Sequence, residues 1–483
     1  MAYNRGVRIL ENPTALTAPI LGTAGLQVIV GTSPVNLAED PERAVNTPMV
    51  ANSFAEASVA VGYSDDMSYT LNQSIYASFK LFPVAPVILI NVLDPKKHKT
   101  ACEEASCPVR DGQALMEQTG VLLSTLKVKD GAEDLTQGGD YLATFDNDGY
   151  VVLTLLGTGK GAGAETLTVT GDRIDPTKVT EKDIIGGYNV STGQESGLEL
   201  IRQVYPRFGM TPGLIVAPGF SRHPSVSAVM AAKCEDINDM FRCECVVDVD
   251  CTADGAQRYT DVKTVKEKSG LVSPHMAAVW PKVIAGGYPL YYSAVFAAIT
   301  AYTDAGNDDV PNLSPSNKMM AVTATCLDDE DDTEVSIDKA QANMVASYGV
   351  ITATNINGFR TWGNNTAVYP SSTDPKDRWF NCRRFFSWWG NSFILSYFQY
   401  VDRPLSKRLV KSICDAENIR GNAYVAQGKC AGARIEYQAD DNPVTDIING
   451  KITFRQYLAP FPPAEDILNI LEFDPAMLQS ALE

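Results

Sequence analysis

The chain has 483 residues, too long for one hydrophobic core, and predicts two to four domains. Its 40 basic and 58 acidic residues leave a net charge of −18 and a pI near 4.7. That excludes a nucleic-acid polyanion as main partner and suits a protein kept soluble at high concentration. The ten cysteines form no CxxC pair, and with only His98, His223 and His275 beside them no metal or cofactor site is expected. No apolar run approaches the ~18 residues of a membrane helix, and the N-terminus lacks a secretory pattern. The expectation is reduced, mostly buried thiols in a cytoplasmic product without membrane insertion.

In chain order, residues 1–20 read as an extended arm, with Val7, Ile9 and Leu10 in a lone strand and Pro13 and Pro19 preventing helix. Gln27–Thr32 is a buried-type strand. Ser53 caps a helix carrying Glu56 three residues on, and Thr70–Phe82 repeats Leu71, Ile75 and Phe79 at helical spacing. Val87–Val92 is apolar throughout, as in a sheet covered on both faces. From Leu115 to Ile174 short β-branched runs (122–128, 150–156, 166–170) alternate with Gly and Asp turns, which predicts an inserted all-β unit. Within it, Gly157–Gly163 lacks phosphate-loop spacing and reads as a flexible hairpin loop.

The α/β texture resumes after Asp183-Ile184-Ile185-Gly186-Gly187. Ser196 and Glu199 read as a capping box opening a helix with Leu198, Ile201 and Val204. A strand at Leu214–Gly219, a helix from Pro224 to about Phe241 and a strand at Cys245–Asp250 predict a parallel β-α-β unit. Tyr288–Tyr302 is a buried helix, Asp328–Asp332 a solvated loop where a cation site is a minor alternative, and Ser347–Thr354 another strand. The C-terminal part opens at Arg378. Ser392–Phe398 reads as a strand, Pro404–Ile413 as a helix, and a short β pair is split by Asn449-Gly450. A tail from Leu471 to Glu483 has no core of its own to join.

Candidate chemistry is sparse. Gly219-Phe220-Ser221-Arg222-His223 has a strand-to-helix context suited to a nucleophile elbow, but His223 stands where the second glycine belongs. A triad histidine would also come from elsewhere in the fold. A hydrolase centred on Ser221 and His223 is therefore the alternative to a structural role. His98 reads as a surface-loop residue and His275 stands alone. Arg360 and Trp362 either hold a ligand or pack a domain junction. Lys407, Arg408 and Lys411 make a local basic patch around the Leu405, Leu409, Ile413 stripe.

The order of motifs resembles the contractile tail sheath proteins of phages and of R-type bacteriocins. The pieces are Gly6-Val7 with Glu11, Val28–Thr32, Pro48 through Ser53–Ala57, the Leu71–Phe82 helix and the strand ending at Val92. After the β insertion come Asp183–Gly187, Phe208-Gly209, Pro212–Gly219, Asn355–Gly363, Arg378–Arg384, Asn449-Gly450 and Ala459–Glu465. The resemblance implies a mixed α/β multidomain fold with an inserted β domain, a C-terminal α+β domain and extended arms. It divides the chain into an arm (1–20), a core (21–100), a β-rich outer domain (101–180), the resumed core (181–370), a C-terminal polymerisation domain (371–473) and a second arm (474–483).

It further implies a non-enzymatic subunit, without cofactor, that polymerises helically around an inner tube. Contraction from a metastable extended state then drives the tube through an envelope. Val7, Ile9, Leu10, Leu471, Phe473 and Leu478 would serve as strand arms between copies, and Lys407, Arg408 and Lys411 would face the tube. The implied partners are other copies of the chain, the tube protein, and baseplate and tail terminator proteins. The implied place is a virion or phage-tail-like particle assembled in the bacterial cytoplasm.

Overall fold

The computed structural model describes residues 21–482. Its centre is an eight-stranded sheet built from β1 (Gln27–Gly31), β2 (Met49–Ala51), β3 (Val87–Asn91), β4 (Leu214–Val216), β5 (Glu244–Asp248), β6 (Met276–Val279), β7 (Val350–Asn355) and β8 (Phe359–Trp362). They lie in the order β2-β3-β1-β4-β5-β6-β7-β8. The strands from β3 to β7 run parallel, and β2 and β8 close the two edges antiparallel.

Near-continuous apolar strands suit this position, because both sheet faces are covered. The two-residue period sends Val28, Val30, Ile88, Ile90, Ile215 and Val247 into one layer. Ile29, Val87, Leu89, Leu214 and Val246 go into the other. Helix α1 (Pro224–Glu235) covers the first through Val226, Met230 and Cys234, and helix α2 (Tyr292–Ala305) the second through Val295, Phe296 and Ile299. Each of the larger side chains contributes about 1.5–3 kcal/mol by leaving water. The mixed α/β character expected from the sequence is what the chain adopts.

Between β3 and β4 the chain leaves through Lys99–Ala101 and returns through Asp172–Ile174, which pair antiparallel. Residues 105–170 form a seven-stranded antiparallel sheet around their own apolar cluster, which includes Met116, Tyr141, Leu153 and Leu167. The Gly157–Gly163 loop is not a hairpin. It joins strands 151–155 and 166–170, which pair with other neighbours, and Asp140 pins it by accepting the Lys160 N–H at 2.9 Å.

After β8 comes helix α3 (Phe380–Tyr397), which includes most of the stretch expected to be a strand, Ser392–Phe398. A seven-residue apolar window hid the longer period: Arg384, Trp388 and Ser392 stand four apart on one face. Ser392 and Ser396 also satisfy their hydroxyls on the carbonyls four residues back, at 2.8 and 2.7 Å. Helix α4 (Lys407–Ala426) follows, then β9 (Gly432–Glu436) and β10 (Arg455–Ala459), an antiparallel pair. Asn449-Gly450 ends the short helix Val444–Ile448 rather than forming the hairpin turn. Pro475–Leu482 forms helix α5, so Leu478 is helical and not in a strand.

Three further expectations give way. Ser196 makes no capping bond, and Gly197–Gln203 is a 3-10 turn, while Thr180 and Asp183 cap the preceding helix instead. Helix α1 ends at Glu235, short of Phe241. The acidic loop is tied down: Asp328 binds Arg222, Tyr291 and Lys282, and Lys282 also reaches Asp332 at 3.2 Å. All ten cysteines are unpaired, and nine are buried.

Candidate functional site

The turn after β4 brings Ser221 to the C-terminal end of the parallel strands, where α/β folds commonly place ligands. Its environment leaves it nothing to attack with. Ser221 is fully buried; its Oγ donates to Asp248 Oδ2 at 2.9 Å and accepts the Asp248 N–H at 2.9 Å. Ser293 Oγ donates to the same carboxylate at 2.6 Å, and the Ser293 N–H to Oδ1 at 2.9 Å. Burial raises the Asp248 carboxyl against these hydrogen bonds, which pull it down. Gly219 holds a left-handed φ of 75°, and a Cβ there would stand 2.5 Å from the Tyr291 ring. The turn is a packed joint.

His223 points elsewhere, with Nδ1 3.2 Å from Glu181. His98 is buried rather than on a surface loop, accepting the Asp94 N–H at 3.0 Å, and His275 lies beside Glu244 rather than alone. Arg360 binds the carbonyls of Ile356 and Asn317, and Trp362 donates to Asn343 at 2.8 Å, so both are engaged locally. Among the described residues no group of three or more His, Cys, Asp or Glu could hold a metal. No helix among the described residues is long and apolar enough to cross a membrane.

Helix α3 joins the sheet to the C-terminal module and holds the root of the N-terminal arm. Trp388 Nε1 donates to Gly22 O at 2.9 Å, and Ser392 Oγ accepts the Gly22 N–H at 2.9 Å. Arg384 donates to Ala24 O at 3.0 Å and forms a wholly buried two-point pair with Asp304. On its next face, Ser387 donates to Glu244 at 2.6 Å. Burial alone raises the Glu244 carboxyl, but His275, Arg383 and Ser387 outweigh it and hold the group below its ordinary 4.5.

The β9–β10 hairpin leans on α4. Its inward side chains, Ala433, Ile435, Gln456 and Leu458, alternate with outward Arg434, Arg455 and Tyr457. Along β9, Asn418 of α4 grips the backbone of Ile435 at two points. Its Nδ2 donates to the carbonyl at 3.0 Å, and its Oδ1 accepts the N–H at 3.0 Å. Gly421, one turn on, lets the helix close in: a Cβ there would sit 2.4 Å from the Ala433 carbonyl.

Of the residues singled out from sequence, Lys407, Arg408 and Lys411 are exposed at the start of α4, capped by Ser406, and no ion pair engages them among the described residues. Cations there oppose the helix dipole and stabilise nothing locally. Leu471 and Phe473 are 87% and 80% exposed in a segment without regular structure. Val7, Ile9 and Leu10 lie outside the described residues. Sequence reasoning missed Asn418, whose signal was two poor helix formers, Asn418 and Gly421, three apart on one face. It also missed Ile467, Leu468 and Ile470, all strongly exposed, which start the apolar tail before Leu471.

No protein-family model matches the chain. Over 476 residues, 96% of this chain and 95% of the relative, it is 26% identical to the tail sheath protein of Burkholderia phage BcepMu. Among solved structures it is similar to the sheath of the PVC extracellular contractile injection system in its contracted state. The TM-score is 0.59 over 99% of both chains at 12% identity. It is also similar to the contracted helical sheath of the anti-feeding prophage, with a TM-score of 0.57 over 98% of this chain and all of that one at 15% identity.

Proposed function

We propose that this chain, which belongs to the contractile tail sheath proteins, is the repeating subunit of a helical jacket that contracts around an inner tube and drives it through a cell envelope. It is a structural protein and not an enzyme. The observation that carries this reading is a likeness to a phage tail sheath protein spanning nearly the whole chain. The closed polar shell of Ser221 supports it, since a hydroxyl wholly buried against a buried carboxylate is out of a substrate's reach.

In this reading residues 101–180 face outward, residues 371–473 form the polymerisation domain, and the arms at 1–20 and beyond 473 add strands to other copies. Backbone pairing of this kind survives rotation of the domains it links. No nucleotide is required if the extended lattice is kinetically trapped above the contracted one. About a few kcal/mol per subunit, the scale on which two packings compete, multiplies along the polymer. Lys407, Arg408 and Lys411 meet the tube, and a baseplate starts the lattice.

Electron microscopy of the purified protein, alone and with its tube protein, tests this. Long hollow tubes with helical striation are expected, and deletion of residues 1–12 or 474–483 is expected to abolish them while leaving the core folded. A monodisperse protein that stays so on a tube template would sink the reading.

A further inference from the structure

We propose that His98 is a proton-operated pin at the mount of the inserted β unit: neutral, it fastens the outgoing linker turn at Asp94; protonated, it releases that turn and closes on Asp183 of the returning helix. This concerns a single subunit and stands apart from the polymer reading above.

The unit of residues 105–170 is carried on two linkers, 92–98 going out and 175–183 coming back, either side of the Lys99–Ala101 and Asp172–Ile174 pair. They touch at His98, whose carbonyl accepts the Asp175 N–H at 2.9 Å. The turn before it is held on Asp94: the Lys97 and His98 N–H groups donate to its carbonyl at 3.0 and 2.7 Å, and the Lys96 N–H to its Oδ1 at 2.8 Å. One further bond of that turn needs the imidazole. The Asp94 N–H donates to His98 Nδ1 at 3.0 Å, so Nδ1 carries no proton in this arrangement and the neutral ring keeps its proton on Nε2. Nε2 faces Asp183 Oδ1 at 3.6 Å, too far for a hydrogen bond.

A second proton has only Nδ1 to go to. Both ring nitrogens are then donors, and the Asp94 N–H meets another N–H in place of a lone pair. The charges around the ring decide where it turns. Lys97 and Lys182 line the same cavity and repel an imidazolium, whereas Asp94 and Asp183 attract it; Tyr188, uncharged at neutral pH, completes the titratable groups there. Asp94 already gives its Oδ1 to Lys96. Burial raises the Asp183 carboxyl, but the Thr180 hydroxyl and N–H, with His98 and Lys97, outweigh it and keep the group ionised in mild acid. About 1 Å of ring movement closes the pair, since charge-assisted bonds form at about 2.7–2.9 Å. Imidazole ordinarily changes charge between about pH 5 and 8, so the fastening is present above that range and lost as pH falls through it. The other histidines are placed differently. His223 lies beside Glu181, and His275 Nδ1 faces the Cys243 carbonyl and Glu244; among the described residues neither ring accepts a backbone N–H.

Hydrogen exchange of the purified full-length subunit tests this, at about pH 8 and about pH 5.5 with the chemical exchange rate corrected for. In acid, peptides covering 92–99 should exchange about tenfold faster, as a buried N–H left without its acceptor requires, while peptides covering 180–185 keep or gain protection. His98→Gln, whose amide can accept from Asp94 and donate to Asp183 without titrating, should stay protected at both pH values. His98→Ala should be open at both, and His223→Gln should respond like the parent. Equal loosening of the two segments overturns the pin, as does an acid response that survives in His98→Gln. A measurement on the unsubstituted ring guards against a variant that fails to fold: nitrogen NMR of labelled histidine should show Nδ1 of His98 unprotonated at about pH 8 and titrating in step with exchange at 92–99. A protonated Nδ1 there, or titration without that exchange, also overturns the proposal.

Discussion

The Ser221 joint and the β10 edge are opposite solutions to the same polar bookkeeping. Around Asp248 donors from Ser221, Ser293 and Gly219 already point at the carboxylate, and the group is buried. Along β10 the outward groups of Gln456 and Leu458 have no taker within the described residues, and the apolar tail nearby is exposed. A fully satisfied buried network specifies a rigid body and can start no chemistry. An edge with free backbone groups specifies a partner. The difference between the two regions separates a scaffold from its connectors.

The hardest test of the rigid side is Arg384→Ala. It strands Asp304, whose carboxyl burial already raises, without the one cation that pairs with it among the described residues, and should cost about 3–5 kcal/mol in denaturant unfolding. Retained stability would mean that the joint is softer than its geometry. Next is Ser221→Ala, which removes one donor from Asp248 and should cost about 1–3 kcal/mol while polymers still form. A measurable hydrolytic activity that this substitution abolished would reverse the comparison and make the joint an active site.

Glu244 offers a subtler probe. Its folded pKa lies below 4.5, so its contribution is fully present above 4.5 and lost as pH falls through the depressed folded value. Glu244→Gln should flatten that part of the stability-against-pH curve, as read by unfolding in buffers from pH 6 downwards. An unchanged acid limb would place the loss in other carboxylates. On the connector side, replacing Lys407, Arg408 and Lys411 together by Ala should shift stability by less than about 0.5 kcal/mol. Assembly on a tube should nevertheless weaken, as scored by sedimentation of polymer with added tube protein. Undiminished assembly would free those residues from the tube.

Much of the sheet was legible because its signals are local. Gln27–Gly31 and Val87–Asn91 are apolar on both faces, and a strand buried on both sides has to read that way. The capping of Ser53 was visible for the same reason. Helix α3 was misread because its identity rests on contacts far off in sequence. Trp388 and Arg384 point at Gly22, Ala24 and Asp304, which no short window contains. His98 was misplaced likewise, since a run of lysines suggested a surface while the ring packs inward. Of the hairpin, the sequence offered strands and a tail; the closure of β9 by Asn418 depends on how α4 crosses it, and crossing angles leave no mark on composition.

The grip of Trp388 and Ser392 on Gly22 has a mechanical consequence. Whatever pulls on residues 1–20 is delivered first to α3, the helix whose opening turn also holds the departing tail at Phe461. Traction entering by one arm is therefore shared between α3, which leads to the other arm, and the sheet, which the same segment meets at Thr211 through Thr23. That helix is itself fastened to the sheet layer, through Arg384 to Asp304 and Ser387 to Glu244, so the arms, α3 and the sheet move as one piece.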